Sequence, residues 1–227
     1  MLNGTLESVS DERLLGGANL CAIGDGSVEG WELIQFRDAV LVDVDTYEIH
    51  HRLRAQLGTE TAAIWPTGSY LVRLDGTAPQ IGLREAQLGL LRHYRVGPGN
   101  RPVSDPSYVH AALAFRGIGL RPLSPVHLRV EGTPGSDLRL GWIRRTRIGG
   151  DRWDIPEVPL GEESESYVVQ VAQADQVLRE ETVSAPQWVY TAAAQTADGL
   201  AGAVELRVAQ VSALFGPGVF ARRALVV

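Results

Sequence analysis

Apolar residues recur at every second position through much of the second half of the chain, and that period narrows the fold more than any other feature. Val126, Leu128 and Val130 alternate with polar neighbours, as do Leu138, Leu140 and Trp142, then Tyr167, Val169 and Val171, then Val204, Leu206 and Val208. A period of two gathers the apolar side chains of an extended segment on one face, where a helix would scatter them around its axis. Clusters of Gly, Pro, Asp and Asn separate these segments, which is the pattern of strands turning back on one another. The expected fold class is all-β, with helices scarce.

A chain of 227 residues suits two β domains of about 100 residues each. The step GLRPLSP at residues 119–125 lies between two differently patterned halves. We therefore expect a β-rich domain over 1–121 and a β-sandwich over 122–227. In the first, an apolar run at 18–23 ends in the turn cluster at 24–27, and strands are expected at 31–36, 39–44 and 46–53, with Asp43, Val44 and Asp45 turning a hairpin. Further strands are expected at 69–74, 88–96 and 108–115, the last two separated by the Gly- and Pro-rich loop at 97–106. The second half reads as seven short strands, with Trp142 facing inward and Trp188 in a short apolar strand.

Composition removes several functions. Hydrophobic residues at 44% and charged residues at 21% describe a chain that folds. A formal net charge of −6 gives no general attraction to phosphate backbones, so no nucleic-acid partner is expected. All 21 cationic side chains counted as Lys and Arg are arginine, which excludes Schiff-base lysines and the lysine of a phosphate-binding loop. Cys21 is alone, so neither an intrachain disulfide nor a cysteine zinc cluster can form. No stretch approaches the roughly 20 apolar residues of a membrane-spanning helix, and the N-terminus opens without a basic or apolar leader, so neither a span nor an export signal is expected.

The motifs that invite chemistry fail on spacing. Residues 24–30, GDGSVEG, place the third glycine one position late for a dinucleotide loop and run into a strand rather than a helix. Asp43, Asp45 and Glu48 lack the glycine and distal glutamate of a calcium loop. His50 and His51 point to opposite faces of a strand, and His93, His110 and His127 show no ligand spacing. No catalytic residue, metal site or cofactor is expected. The candidate interaction surface comprises Trp31, Trp65 and Trp153 beside turns, as anchors or a sugar-stacking platform, and the acidic cluster Glu162, Glu163 and Glu165. Arg144, Arg145 and Arg147 lie upstream as an internal counterpart to those acids.

Residues 30–60 read GWELIQFRDAVLVDVDTYEIHHRLRAQLGTE, an order more particular than strand formation requires. Trp31, Glu32, Ile34, Gln35, Phe36 and Tyr47, with Leu53, Arg54, Gly58, Thr59 and Glu60, resemble a segment of the large tail-tip proteins of siphophage-like particles. The chain resembles the C-terminal part of the baseplate hub protein of gene transfer agents and related tailed phages, with residues 160–167 and 208–218 extending the likeness into the second half. That half also resembles a fibronectin type III domain, through the early Trp142, Tyr167 in the third strand and residues 206–212 late, with Leu206 where a corner tyrosine is usual.

The resemblance implies a noncatalytic role at the tail tip of a virion or gene transfer agent, made in the bacterial cytoplasm. Its partners would be other tail and baseplate proteins, tail fibres and the host surface, with the intact hub a homotrimer. Because the proteins it resembles are longer, the chain is expected to be a C-terminal fragment or a separately encoded piece whose first domain lacks a strand. Two other readings stay open: a module binding cell-surface glycans, and an accessory part of a cell-wall-degrading enzyme.

Overall fold

The computed structural model describes residues 5–28, 30–61, 64–74, 80–150, 152, 154, 156–174, 176–200 and 202–226. The chain is nearly all β and divides into two compact units, Met1–Gly117 and Ile118–Val227, so that the step at 119–125 falls at the start of the second.

The first unit is built on a four-stranded antiparallel sheet of β1 (Cys21–Gly24), β2 (Trp31–Asp43), β3 (Thr46–Gln56) and β4 (Tyr70–Arg73), in the order β3-β2-β1-β4. The two strands expected at 31–36 and 39–44 are one. Arg37 and Asp38, which read as an interruption, lie within β2 because each has a charged partner: Arg37 Nη1 is 3.0 Å from Asp11 Oδ1, and its Nε donates to Asp38 Oδ1 at 3.1 Å. The hairpin turn falls at Val44–Asp45 as the sequence indicates, with Asp45 at a positive φ of 52°. β1 pairs only with residues 31–34 of β2. Farther along, residues 7–9 take its place, with the Val9 amide donating to the Arg37 carbonyl at 2.8 Å and the Ala39 amide to Ser8 Oγ at 3.0 Å.

The core of this unit is small: Cys21, Ile34 and Phe36 are buried, with Leu6, Ile23, Ala39 and Ile49 packed around them. Beyond that core the β2–β3 hairpin continues as an arm on which Val40, Leu41, Val42 and Val44 are exposed. The short helix α1 (Asp11–Leu15) was not legible from periodicity; its N-cap is Ser10, whose Oγ accepts from the Arg13 amide at 3.3 Å. A separate two-stranded sheet pairs β5 (Leu91–Val96) with β6 (Val109–Ala114). β5 begins later than expected, because residues 85–87 form a 3-10 turn and Gly89 takes a φ of 73°.

The second unit is a β-sandwich. One sheet contains β7 (Val126–Glu131), β8 (Leu138–Ile143) and β11 (Gln187–Tyr190), in the order β11-β8-β7. The other contains β9 (Tyr167–Gln173), β10 (Gln176–Val183), β12 (Ala203–Ser212), the two-residue β13 (Gly216–Pro217) and β14 (Ala221–Val226), with β9 between β10 and β12, and β12 also pairing with β14. Strands one, two and five in one sheet, facing three, four, six and the last, is the fibronectin type III arrangement. The alternating residues form one core: Leu138, Leu140, Trp142, Tyr167, Val169, Val171, Trp188, Tyr190, Leu206 and Val208 are all buried. Trp142 meets Tyr167 edge to face at 5.2 Å, and Trp188 stacks on Tyr190 at 5.1 Å.

No tyrosine occupies the start of β12, where Leu206 is fully buried. The corner is held instead by a second helix, α2 (Ala192–Ala197), capped by Thr191 Oγ1 accepting from the Ala194 amide at 3.2 Å. From α2 the buried Gln195 donates Nε2 to the carbonyls of Ser136 at 2.7 Å and Tyr190 at 3.0 Å, while its Oε1 accepts from the Gly135 amide at 3.0 Å. One carboxamide thus ties the β7–β8 turn to the β11–β12 connection. Gln195→Ala would remove all three of these bonds and is expected to lower the stability of the sandwich by about 2–3 kcal/mol, read as a shift of its urea midpoint with an unchanged slope.

Candidate functional site

Within residues 30–60 the conspicuous group is a buried acid. Glu32, on β2, is fully buried, and a carboxylate there is sustained only by donors that replace its water. Arg54 Nε donates to Oε1 at 3.0 Å and Nη2 to Oε2 at 2.7 Å, a two-pronged contact. The Ala55 amide donates to Oε1 at 2.9 Å, and the Trp65 indole Nε1 to Oε2 at 2.7 Å. Burial pushes the Glu32 carboxyl upward, but the guanidinium, the indole and the amide together outweigh it and hold it below the ordinary value of 4.5.

The backbone is shaped to this contact. The register steps from Leu33↔Gln56 to Gln35↔Leu53, so β3 carries an extra residue there, and Ala55 has a φ of 59°. That bulge aims the Ala55 amide at the carboxylate. The following turn, with Leu57 and Gly58 at positive φ, returns Thr59 to the sheet, where its Oγ1 accepts from the Leu33 amide at 2.8 Å and donates to the Gln56 carbonyl at 2.7 Å. Gln35, also buried, reaches the other way: its Nε2 donates to the carbonyls of Leu14 and Ala18, both at 2.8 Å, closing the end of α1. Of the residues that make this segment recognisable, Glu32 and Arg54 bind each other, while Gln35 and Thr59 hold neighbouring backbone.

Trp31 and Trp65 both spend their indole N–H internally, Trp31 on the Ser27 carbonyl at 2.6 Å and Trp65 on Glu32. The Trp31 ring covers Gly24, where a Cβ would approach it to 2.5 Å, and a Cβ on Gly30 would meet the Asp25 carboxylate at 2.2 Å. The glycines of the 24–30 turn thus serve close packing within the β1–β2 connection. Trp153 lies outside the described residues. The acids Glu162, Glu163 and Glu165 do not form one open surface. Glu162 accepts from Arg147 Nη2 at 2.8 Å with a largely buried side chain, Glu165 accepts from the Tyr167 hydroxyl at 2.8 Å, and Glu163 is the exposed one of the three. His50 and His51 take different partners: His50 Nε2 lies 3.5 Å from Glu48, and His51 Nδ1 lies 2.5 Å from Asp38 Oδ2. No group of three or more metal-ligating side chains occurs among the described residues.

A second polar centre had no local sequence signal. Arg179 on β10 grips Asp198 with Nε and Nη2 at 2.7 and 3.0 Å and reaches Glu181 with Nη1 at 2.8 Å. From β11, the Tyr190 hydroxyl donates to Asp198 at 2.6 Å and the Trp188 indole to Glu181 at 2.9 Å. Burial, then Asp198, pushes the Tyr190 phenol well up, while Arg179 holds Asp198 below the usual carboxylate range. β10 and β11 are edge strands of opposite sheets, so the cluster closes one side of the sandwich.

Residues 1–72 match the Rcc01698-like, C-terminal family. The matched segment contains Glu32, Gln35, Arg54, Thr59 and Trp65, so the whole Glu32 centre falls inside it. No match is found among curated proteins. Among solved structures, one described as "Structure of FN3tt mut" is 16% identical, covering 46% of this chain and 93% of that one at a TM-score of 0.31. Domains d3–d4 of the rat CD45 extracellular region are 8% identical, covering 84% of this chain and 94% of theirs at a TM-score of 0.34. The sandwich assignment rests on the strand order described above.

Because Glu32 is buried and Arg54 is partly exposed, the two halves of the pair are unequal. Arg54→Ala strands a buried charge and is expected to cost the first unit about 3–5 kcal/mol at neutral pH. Glu32→Ala leaves a guanidinium that water can reach and is expected to cost about 2–3 kcal/mol. A carboxyl held below its unfolded value stabilises fully above about pH 4.5 and loses that contribution as pH falls through its folded value. Protection of the Ala55 amide and the Trp65 indole against hydrogen exchange, relative to the unfolded rate at the same pH, should therefore fall below that pH in the wild type. In Arg54→Ala, acid should narrow the deficit relative to wild type.

Proposed function

We propose that this chain is a structural, noncatalytic part of the tail tip of a phage-like particle, working through contacts with other tail proteins or fibres. The observation that carries the reading is the family match over residues 1–72, together with the residues 30–60 that resemble a baseplate hub. The chemistry of that segment supports it. Its buried acid is saturated by four donor contacts, which suits a brace and leaves no lone pair directed at a substrate.

The β2–β3 arm supports a contact role. Val40, Leu41, Val42 and Val44 are 49%, 60%, 50% and 85% exposed on one hairpin, and clustered apolar exposure of this kind marks association surfaces. The fibronectin type III-like unit adds a module of a class that commonly serves as a spacer or adhesion domain. Immunogold labelling of purified particles against this chain is expected to mark the tail tip, and absence of the chain from particles would sink the proposal. Leu41→Asp with Val42→Asp alters exposed residues only. The double variant should keep the wild-type melting curve while its incorporation into particles falls.

A further inference from the structure

We propose that the outer face of the β11-β8-β7 sheet carries a binding site for an acidic sugar residue, a hexuronate or similar sugar acid. A hollow of about 340 Å³ opens there, lined by Arg129, Glu131, Arg139, Gly141, Pro186 and Gln187. The site does not depend on the tail-tip reading.

The register builds it. Gly141 sits on the middle strand with Arg129 beside it on β7 and Gln187 beside it on β11, and one step along, Arg139 lies next to Glu131. Alternate residues 138, 140 and 142 point into the core, so these polar residues share the outward face. The central glycine makes the depression: a Cβ at Gly141 would meet nothing within 4 Å. Glycine in the middle of a strand costs conformational entropy and packs nothing, and close approach by a ligand is one reason to retain it. Among the described residues, no side-chain hydrogen bond or ion pair engages Arg129, Glu131, Arg139 or Gln187. Elsewhere in this unit Arg144, Arg145, Arg147, Arg152, Arg179, Arg207 and Arg222 have partners, while Arg223, like the two arginines of the hollow, is exposed and has none among the described residues.

The donor set selects the ligand class. Two guanidiniums offer forked donors suited to a carboxylate. Glu131 leaves the charged walls with a net charge of one positive unit, matching a monoanion better than a phosphate dianion. Glu131 can only accept and Gln187 both donates and accepts, which fits neighbouring hydroxyls. An acidic peptide side chain would satisfy the arginines but give Glu131 nothing except repulsion. Pro186 supplies a small apolar edge for a ring face.

The test is a ¹H–¹⁵N NMR titration of the full chain with trigalacturonate, against galactotriose and triglutamate. Trigalacturonate is expected to give saturable shifts confined to the amides near residues 129–131, 139–141 and 187, with no comparable response to the other two. Gly141→Leu fills the hollow and should abolish the shifts while leaving the thermal melt unchanged. Arg129→Ala or Arg139→Ala should each weaken binding roughly tenfold or more. The proposal is overturned by the absence of localised shifts, by an equal response to triglutamate or galactotriose, or by binding that survives the loss of both exposed arginines. That double variant also decides the matter if Gly141→Leu fails to fold.

Discussion

A carboxylate without water organises the first unit. Glu32 draws donors from Arg54, from the backbone of Ala55 and from Trp65, positions that lie far apart in sequence but must meet within hydrogen-bond distance. A buried charge tolerates little deviation, because each lost donor exposes it to a cost of several kcal/mol. The bulge in β3, the positive φ at Ala55 and the Gln56–Thr59 turn follow from that demand. With a buried cluster of Cys21, Ile34 and Phe36 among the described residues, apolar burial alone would specify this unit weakly. The ion pair adds register, since slipping β3 by one residue would move Arg54 to the opposite face.

The second unit rests on the opposite balance. Ten buried side chains form a continuous apolar layer, and polar groups serve as fasteners at its margins. Gln195 closes one corner, and the Arg179, Asp198, Tyr190, Glu181 and Trp188 cluster closes an open side. Both fasten the margins of the sandwich by side-chain hydrogen bonding, in a chain that carries Leu206 where a corner tyrosine is usual.

The all-β class and the inward residues of the sandwich strands were legible because alternation is a local signal. Arg37 and Asp38 obscured the continuity of β2, since adjacent charges look like a turn until their partners are known. Helices α1 and α2, of five and six residues, are too short for periodicity to reveal. Glu32, Arg54 and Trp65 could be picked out as part of a distinctive string, but nothing local showed that they touch. The same limit explains the acids at 162–165: their sequence is a charge run, whereas Glu162 and Glu165 already have internal partners. Gly141 gives almost no sequence signal, because a lone glycine in a strand reads only as a weak point.

The length of β2 has a mechanical consequence. Its 13 residues span roughly 43 Å at about 3.3 Å per residue, with Glu32, Ile34 and Phe36 buried at one end and Val40, Leu41 and Val42 exposed at the other. Ladder hydrogen bonds lie across the strand direction. A pull along the arm from its tip would therefore load the β1–β2 bonds together, in shear, instead of peeling them one at a time. A partner gripping the tip would hold the first unit by its strongest axis.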